Sequence, residues 1–170
     1  MRQRRRARKA AQGSAAAAQQ SIEQADKHFI VSNRPWVTVA QLEILQRAPN
    51  TLPFNIVMNM ENGGITPAIR VASAQWVDIL AQLPDPPNYQ DYVPVTRAAI
   101  GPHLGGQIPA TVVPTNPELQ GIVAGHLNIF VYGFVRYDDI FGGHHETKWA
   151  FEYNRATRQF AVLPFHNQVI

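Results

Sequence analysis

The sequence predicts a mainly β protein: an immunoglobulin-like antiparallel β-sandwich with an N-terminal α-helix and one short helical insert. Three observations lead there. First, all 13 prolines and all glycines but Gly13 lie beyond residue 30 and cut the chain into short segments, which favours strands over long packed helices. Second, several of these segments alternate apolar and polar side chains, the period of a half-buried strand. Third, residues 127–153 read as two long strands joined by a short polar loop, with no βαβ alternation of the kind a nucleotide-binding α/β domain needs. A partly open barrel is the alternative closure of the same strands. At 170 residues, 45% of them hydrophobic, the chain has material for one cored domain and an appendage.

The appendage comes first. Arg2, Arg4, Arg5, Arg6, Arg8 and Lys9 supply six of the 15 basic residues, and without them nine basic residues face 12 acidic ones. The high isoelectric point therefore belongs to residues 1–9, expected as a disordered basic tail suited to an anionic membrane surface. The body has no basic excess for gripping nucleic acid. Residues 10–33 are expected as a connector helix, rich in alanine and glutamine. Its stripe, Ala11, Ala15, Ala18, Ile22, Ala25 and Phe29, has heptad spacing but mostly small side chains, so it supports only weak helix pairing. No run of about 18 apolar residues occurs, and the basic start leads into a stretch too polar for a signal-peptide core.

Ser32-Asn33-Arg34-Pro35 ends the helix, because proline lacks the amide proton and its predecessor leaves the helical region. Residues 34–170 are expected to form the sandwich. From Trp36 the pattern places Trp36, Thr38, Ala40, Leu42 and Ile44 on one face of a strand. In the next, Phe54, Ile56, Met58 and Met60 alternate with Asn55, Val57 and Asn59. Asn62-Gly63-Gly64 then turns the chain; no lysine-bearing helix follows, so a phosphate cradle is not indicated and no cofactor is implied. A strand starts near Thr66-Pro67-Ala68 and runs towards Trp76. Residues 83–94 carry four prolines and read as a loop, with Tyr89 and Tyr92 pinning it to the sandwich. Short strands follow at 96–100 and 108–113. A helix capped by Asn116 with Pro117 next runs to Val123 and stops at Gly125. A last strand is expected at 159–165, after a turn at 154–158.

The strand from Leu127 to Tyr137 is apolar on both sides. Leu127, Ile129, Val131, Val135 and Tyr137 point one way; Phe130, Tyr132 and Phe134 point the other. Such a strand either has its second side covered, for which the N-terminal helix is the candidate, or presents Phe130, Tyr132 and Phe134 to a protein partner.

The loop between the two long strands gathers Asp138, Asp139, His144, His145 and Glu146. Two readings compete. In one, an aspartate caps the turn and a histidine bonds across it. In the other, Asp139, His145 and Glu146 converge on a metal ion or serve hydrolysis, although neighbouring strand residues point to opposite faces and no zinc spacing is matched. The chain has no cysteine, which excludes disulfides and thiolate sites. Ser73, the last serine, lacks the glycine-bounded elbow of a nucleophile, and adjacent Asp138 and Asp139 do not flank a glycosidic bond.

Three stretches together resemble a family of uncharacterised proteobacterial proteins: Arg34-Pro35-Trp36-Val37 after an alanine-rich helix; residues 62–68, similar to that family's N-x-G-x-T-P-A turn; and residues 137–147, similar to its Y-x-D-x-F-G-x-x-H-x-T hairpin. The resemblance covers about residues 20–153. It implies an alanine-rich helix followed by a β domain, often behind a single membrane span, and supplies no catalytic residues. As the chain stands, without such a span, a cytoplasmic location is expected; an upstream span would make it membrane-associated, with the arginine cluster on the cytoplasmic side. The function expected is that of a non-enzymatic module binding another protein at or near a membrane.

Overall fold

The computed structural model describes residues 2–44, 54–89, 98–164 and 168–169. The chain forms two compact units, Met1–Arg34 and Pro35–Ile170. The first is one helix, α1 (Arg2–Asn33). The expected disordered tail is thus helical from Arg2, as arginine, glutamine, lysine and alanine all propagate helix well. On the predicted stripe, Ile22 and Phe29 are 62% and 60% exposed. Asn33 Nδ2 donates to the Phe29 carbonyl at 2.6 Å, closing the last turn.

The second unit contains β1 (Val37–Ile44), β2 (Phe54–Asn62), β3 (Ala68–Leu80), β4 (Ala98–Ile100), β5 (Gly105–Val112), α2 (Asn116–Ala124), β6 (Asn128–Asp138), β7 (His144–Asn154), β8 (Gln159–Val162) and β9 (Gln168–Val169). They build two antiparallel sheets, one ordered β1-β2-β5 and the other β4-β3-β6-β7-β8, with β9 also beside β7. The principal core joins Val37, Leu42, Ile56 and Met58 of the first sheet to Val131, Val135, Trp149 and Phe151 of the second. The mainly β sandwich that the sequence predicts is the fold observed. Gln75 Nε2 also donates to the Pro109 carbonyl at 3.0 Å, tying β3 to β5 across the sheets.

Two bulges interrupt the strands, and the first changes faces that simple alternation had assigned. In β1 the register shifts between Val39 and Gln41. Ala40 is the extra residue, so Val37 is buried before it and Leu42 after it, rather than Leu42 sharing a face with Trp36 and Thr38. In β3 the register against both neighbours shifts around Arg70, whose φ is 51°.

The short helix is capped by Thr115 rather than Asn116. The Thr115 hydroxyl accepts from the Glu118 amide at 3.4 Å while Glu118 Oε2 accepts from the Thr115 amide at 2.7 Å, a reciprocal capping box. Gly125, in the left-handed region at φ 84°, ends it as expected. Tyr92, Thr96 and Phe165 lie outside the described residues.

Within the hairpin, Gly133 stands opposite Trp149. A Cβ there would lie 2.1 Å from the Ala74 carbonyl oxygen and 2.7 Å from the Trp149 ring. The indole fills the space that a side chain at 133 would take.

Candidate functional site

The β6–β7 hairpin carries both groups of residues singled out by the sequence. Phe130, Tyr132 and Phe134 are each 3% exposed, on the side of β6 away from the main core. The cover that sequence reasoning sought in the N-terminal helix comes from within the β domain. Trp76 of the neighbouring β3 stacks on Tyr132, with centroids 5.8 Å apart at 19°. Tyr89 stands edge-on to Tyr132 at 5.8 Å, to Trp76 at 6.0 Å and to Phe134 at 6.4 Å. Leu83 is buried in the same cluster. Tyr89 therefore pins its loop to the sandwich, as its sequence context suggested.

Polar atoms complete this face. The Tyr132 hydroxyl donates to Asp78 Oδ2 at 2.7 Å. Burial, and then the Asp78 bond and charge, push the Tyr132 phenol well above its ordinary pKa, so it is a donor at any physiological pH. Burial and the Glu146 charge raise Tyr89 as well. The Arg136 guanidinium lies 4.4 Å from the Phe134 ring centre, and Lys148 Nζ 5.5 Å from that of Tyr89.

At the tip, Asp139 organises the turn. Its Oδ1 accepts from the amides of Phe141 at 2.8 Å and Gly143 at 2.7 Å, while Oδ2 meets His145 Nε2 at 2.8 Å. The Asp139 side chain is 2% exposed and that of His145 12%. A Cβ on Gly143 would fall 2.5 Å from Asp139 Oδ2, so glycine is needed for the pair to form. Burial alone would raise the Asp139 pKa; the His145 bond and the two amides outweigh it and hold the carboxyl below its ordinary range.

Glu146 does not join this pair. His145 stands opposite Tyr137 and Glu146 opposite Arg136, on the other side of the strand. There Glu146 binds Arg136 Nε at 2.5 Å and Lys148 Nζ at 3.2 Å. Burial opposes its ionisation, but these two partners lower its pKa. Asp138 in turn holds His144 Nδ1 at 2.6 Å and pairs with Arg70, and the His144 bond, opposed by burial and helped by Arg70, lowers its pKa. Of the three side chains considered for a metal, two meet and the third faces away. Among the described residues no group of three His, Asp or Glu side chains is placed to hold an ion.

The same end of the sandwich carries residues that the sequence reading passed over. Ala68 pairs with Ile100 and Ile69 with Asp138, which brings the turns at 62–67, 101–104 and 139–143 to one end. Each exposes an apolar side chain: Ile65 at 55%, Leu104 at 61%, Ile140 at 53% and Phe141 at 36%. An aliphatic residue inside a glycine-containing turn was the available signal.

Buried Asn62 locks two of these turns. Its Oδ1 accepts from the amides of Trp36 and Gly64, both at 3.0 Å, and its Nδ2 donates to the carbonyls of Thr66 at 2.8 Å and Ile100 at 3.2 Å. Its own amide and carbonyl bond Leu104 and His103. Beside this knot, a shallow polar cleft of about 600 Å³ runs over Ala40, Asn59, Glu61, His103 and Gln107. A second, of about 320 Å³, lies between the ends of β3 and β5.

No protein-family model, curated protein or solved structure matches the chain. Among the described residues, no helix is long and apolar enough to cross a membrane.

Proposed function

We propose that the chain is a non-enzymatic protein-binding module, an immunoglobulin-like sandwich that takes its partner at the loop end and works at or near a membrane. The observation that carries this reading is the set of three turns at one end, each with an exposed apolar side chain and each fixed by hydrogen bonds to a buried Asn62 or Asp139. A surface held in place before binding loses little conformational entropy on association. The strand order supports the immunoglobulin-like kinship. Lettered in chain order, β1-β2-β5 corresponds to A-B-E and β3-β6-β7 to C-F-G, with β4 beside β3. The three turns are then the B–C, D–E and F–G loops, and variable domains bind with the B–C and F–G end.

A non-enzymatic role is supported by how the tip residues are used, since Asp139 and His145 spend their bonds on the turn and Glu146 on Arg136 and Lys148. Membrane proximity is supported by six basic residues within positions 2–9 and by the likeness to a proteobacterial family whose β domains often follow a membrane span. A photo-crosslinking residue placed at Ile140 of the full chain in bacterial cells tests the proposal. The adduct should form at Ile140, fail at Thr111 on the opposite sheet, and be lost with Leu104→Asp. Equal adducts at both positions would refute it.

A further inference from the structure

We infer that α1 pairs antiparallel with α1 of a second copy of this chain. The helix runs for 32 residues, and every residue from Ala11 to Ser32 is exposed. Helical stability in proteins comes mostly from packing an apolar face, and α1 draws none of it from its own chain. Ile22 and Phe29, the large members of its stripe, stand 62% and 60% exposed.

Charge selects the occupant and its direction. Six of the seven basic residues of α1 lie within positions 2–9, and its two acids, Glu23 and Asp26, lie in its last third. A parallel pair would set the two basic ends side by side, closer than the Debye length of about 10 Å, so their repulsion would be felt. Laid antiparallel, the basic end of each copy runs beside the end of the other that holds Glu23 and Asp26, and the two helix dipoles oppose. The helix is complementary in charge to a reversed copy of itself.

Side-chain size agrees with that direction. The stripe is Ala11, Ala15, Ala18, Ile22, Ala25 and Phe29. The antiparallel register that brings Ala15 opposite Ala18 also puts Ile22 opposite Ala11, so large meets small at the seam, and it aligns the helices over roughly 45 Å. Ala25 and Phe29 then fall opposite positions 8 and 4, both arginine, a residue type whose aliphatic stem covers apolar surface while its charge reaches water. A parallel pair would instead stack Ile22 on Ile22 and Phe29 on Phe29, with only alanines between these wide layers. Ser14 and Ser21 flank the antiparallel seam and face each other across it.

The chain has no cysteine, so introduced thiols report this contact directly. A mixture of Ser14→Cys and Ser21→Cys chains should oxidise to a disulfide joining the two variants. Ala11→Cys alone, set roughly 16 Å along the axis from its own copy, should stay unlinked. Self-linked Ala11→Cys with no mixed Ser14→Cys/Ser21→Cys product would overturn the inference, because that pattern belongs to a parallel pair. In sedimentation equilibrium the unaltered full chain should form a reversible dimer, weakened at least about fivefold by Asp26→Arg, since the reversed charge acts twice by symmetry. Arginine propagates helix better than aspartate, so that loss is not one of helicity. A chain that is monomeric up to about 1 mM, or a dimer indifferent to Asp26→Arg, is a refutation. Ile140→Asp should leave the dimer intact; its loss there would place the contact at the loop end instead and overturn the helix pairing.

Discussion

The two sheets turn opposite kinds of outer face to their surroundings. On β1-β2-β5 that face is a polar ladder: Thr111 Oγ1 donates to Asn55 Oδ1 at 2.9 Å, Gln107 Nε2 to Asn59 Oδ1 at 3.0 Å, and Asn59 Nδ2 to Glu43 Oε1 at 3.5 Å. On β3-β6-β7 it is a layer of rings beneath a strap, the segment 83–89, whose Leu83 and Tyr89 pack against it. The first face needs no cover, because water and cross-strand partners satisfy its amides. The second cannot be left bare, and the chain closes it with a segment that cannot itself become a strand. Polar ladder and strapped face are two solutions to one problem, and they differ in what each loses when altered.

The largest expected effect is on the strapped face. Tyr132→Glu would place a carboxylate among Trp76, Tyr89 and Phe134 and beside Asp78, and an uncompensated buried charge costs about 3–5 kcal/mol. Urea denaturation should show that loss, and a change below about 1 kcal/mol would mean that the face is open.

An intermediate effect belongs to the tip joining both regions. Asp139→Asn keeps an oxygen for the turn amides but loses the charged bond to His145, for about 1–3 kcal/mol. The folded Asp139 pKa lies below its unfolded value of about 3.9, so its contribution is complete above that unfolded value and is lost as pH falls through the folded pKa. Stability measured below about pH 4 should therefore fall more steeply for the unaltered protein than for Asp139→Asn. Parallel curves would show that the carboxylate is not the titrating group.

The smallest effect is expected on the polar ladder. Thr111→Ala removes one exposed side-chain bond and should change stability by no more than about 0.5 kcal/mol. A loss comparable with that of Tyr132→Glu would erase the distinction between the faces.

How legible each region was in the sequence follows the same division. The alternation of Ile56, Met58 and Met60 with Asn55 and Asn59 was readable because one side of β2 is wet. The turn at Asp139 was readable because its partners lie two, four and six residues away. β6 revealed two apolar faces but not their cover, since the strap reaches them through contacts remote in sequence. The bulge at Ala40 left no trace in the pattern, because one inserted residue inverts every side chain after it. Asn62 read as a turn residue, and its bonds to Trp36 and Ile100 depend on the assembled fold.

Those bonds bear on how the β domain would meet a mechanical load. Tension arriving through Pro35 reaches β1 at its first residues, where the Trp36 amide is held by Asn62 and the Val37 carbonyl accepts from the buried Thr147 hydroxyl at 2.8 Å. Asn62 belongs to one sheet and Thr147 to the other. A pull on the strand's leading end is thus shared between both sheets at the first rung of the β1–β2 pairing, Val37 with Asn62. A domain reached through its edge strand is in this way anchored as though reached through its middle.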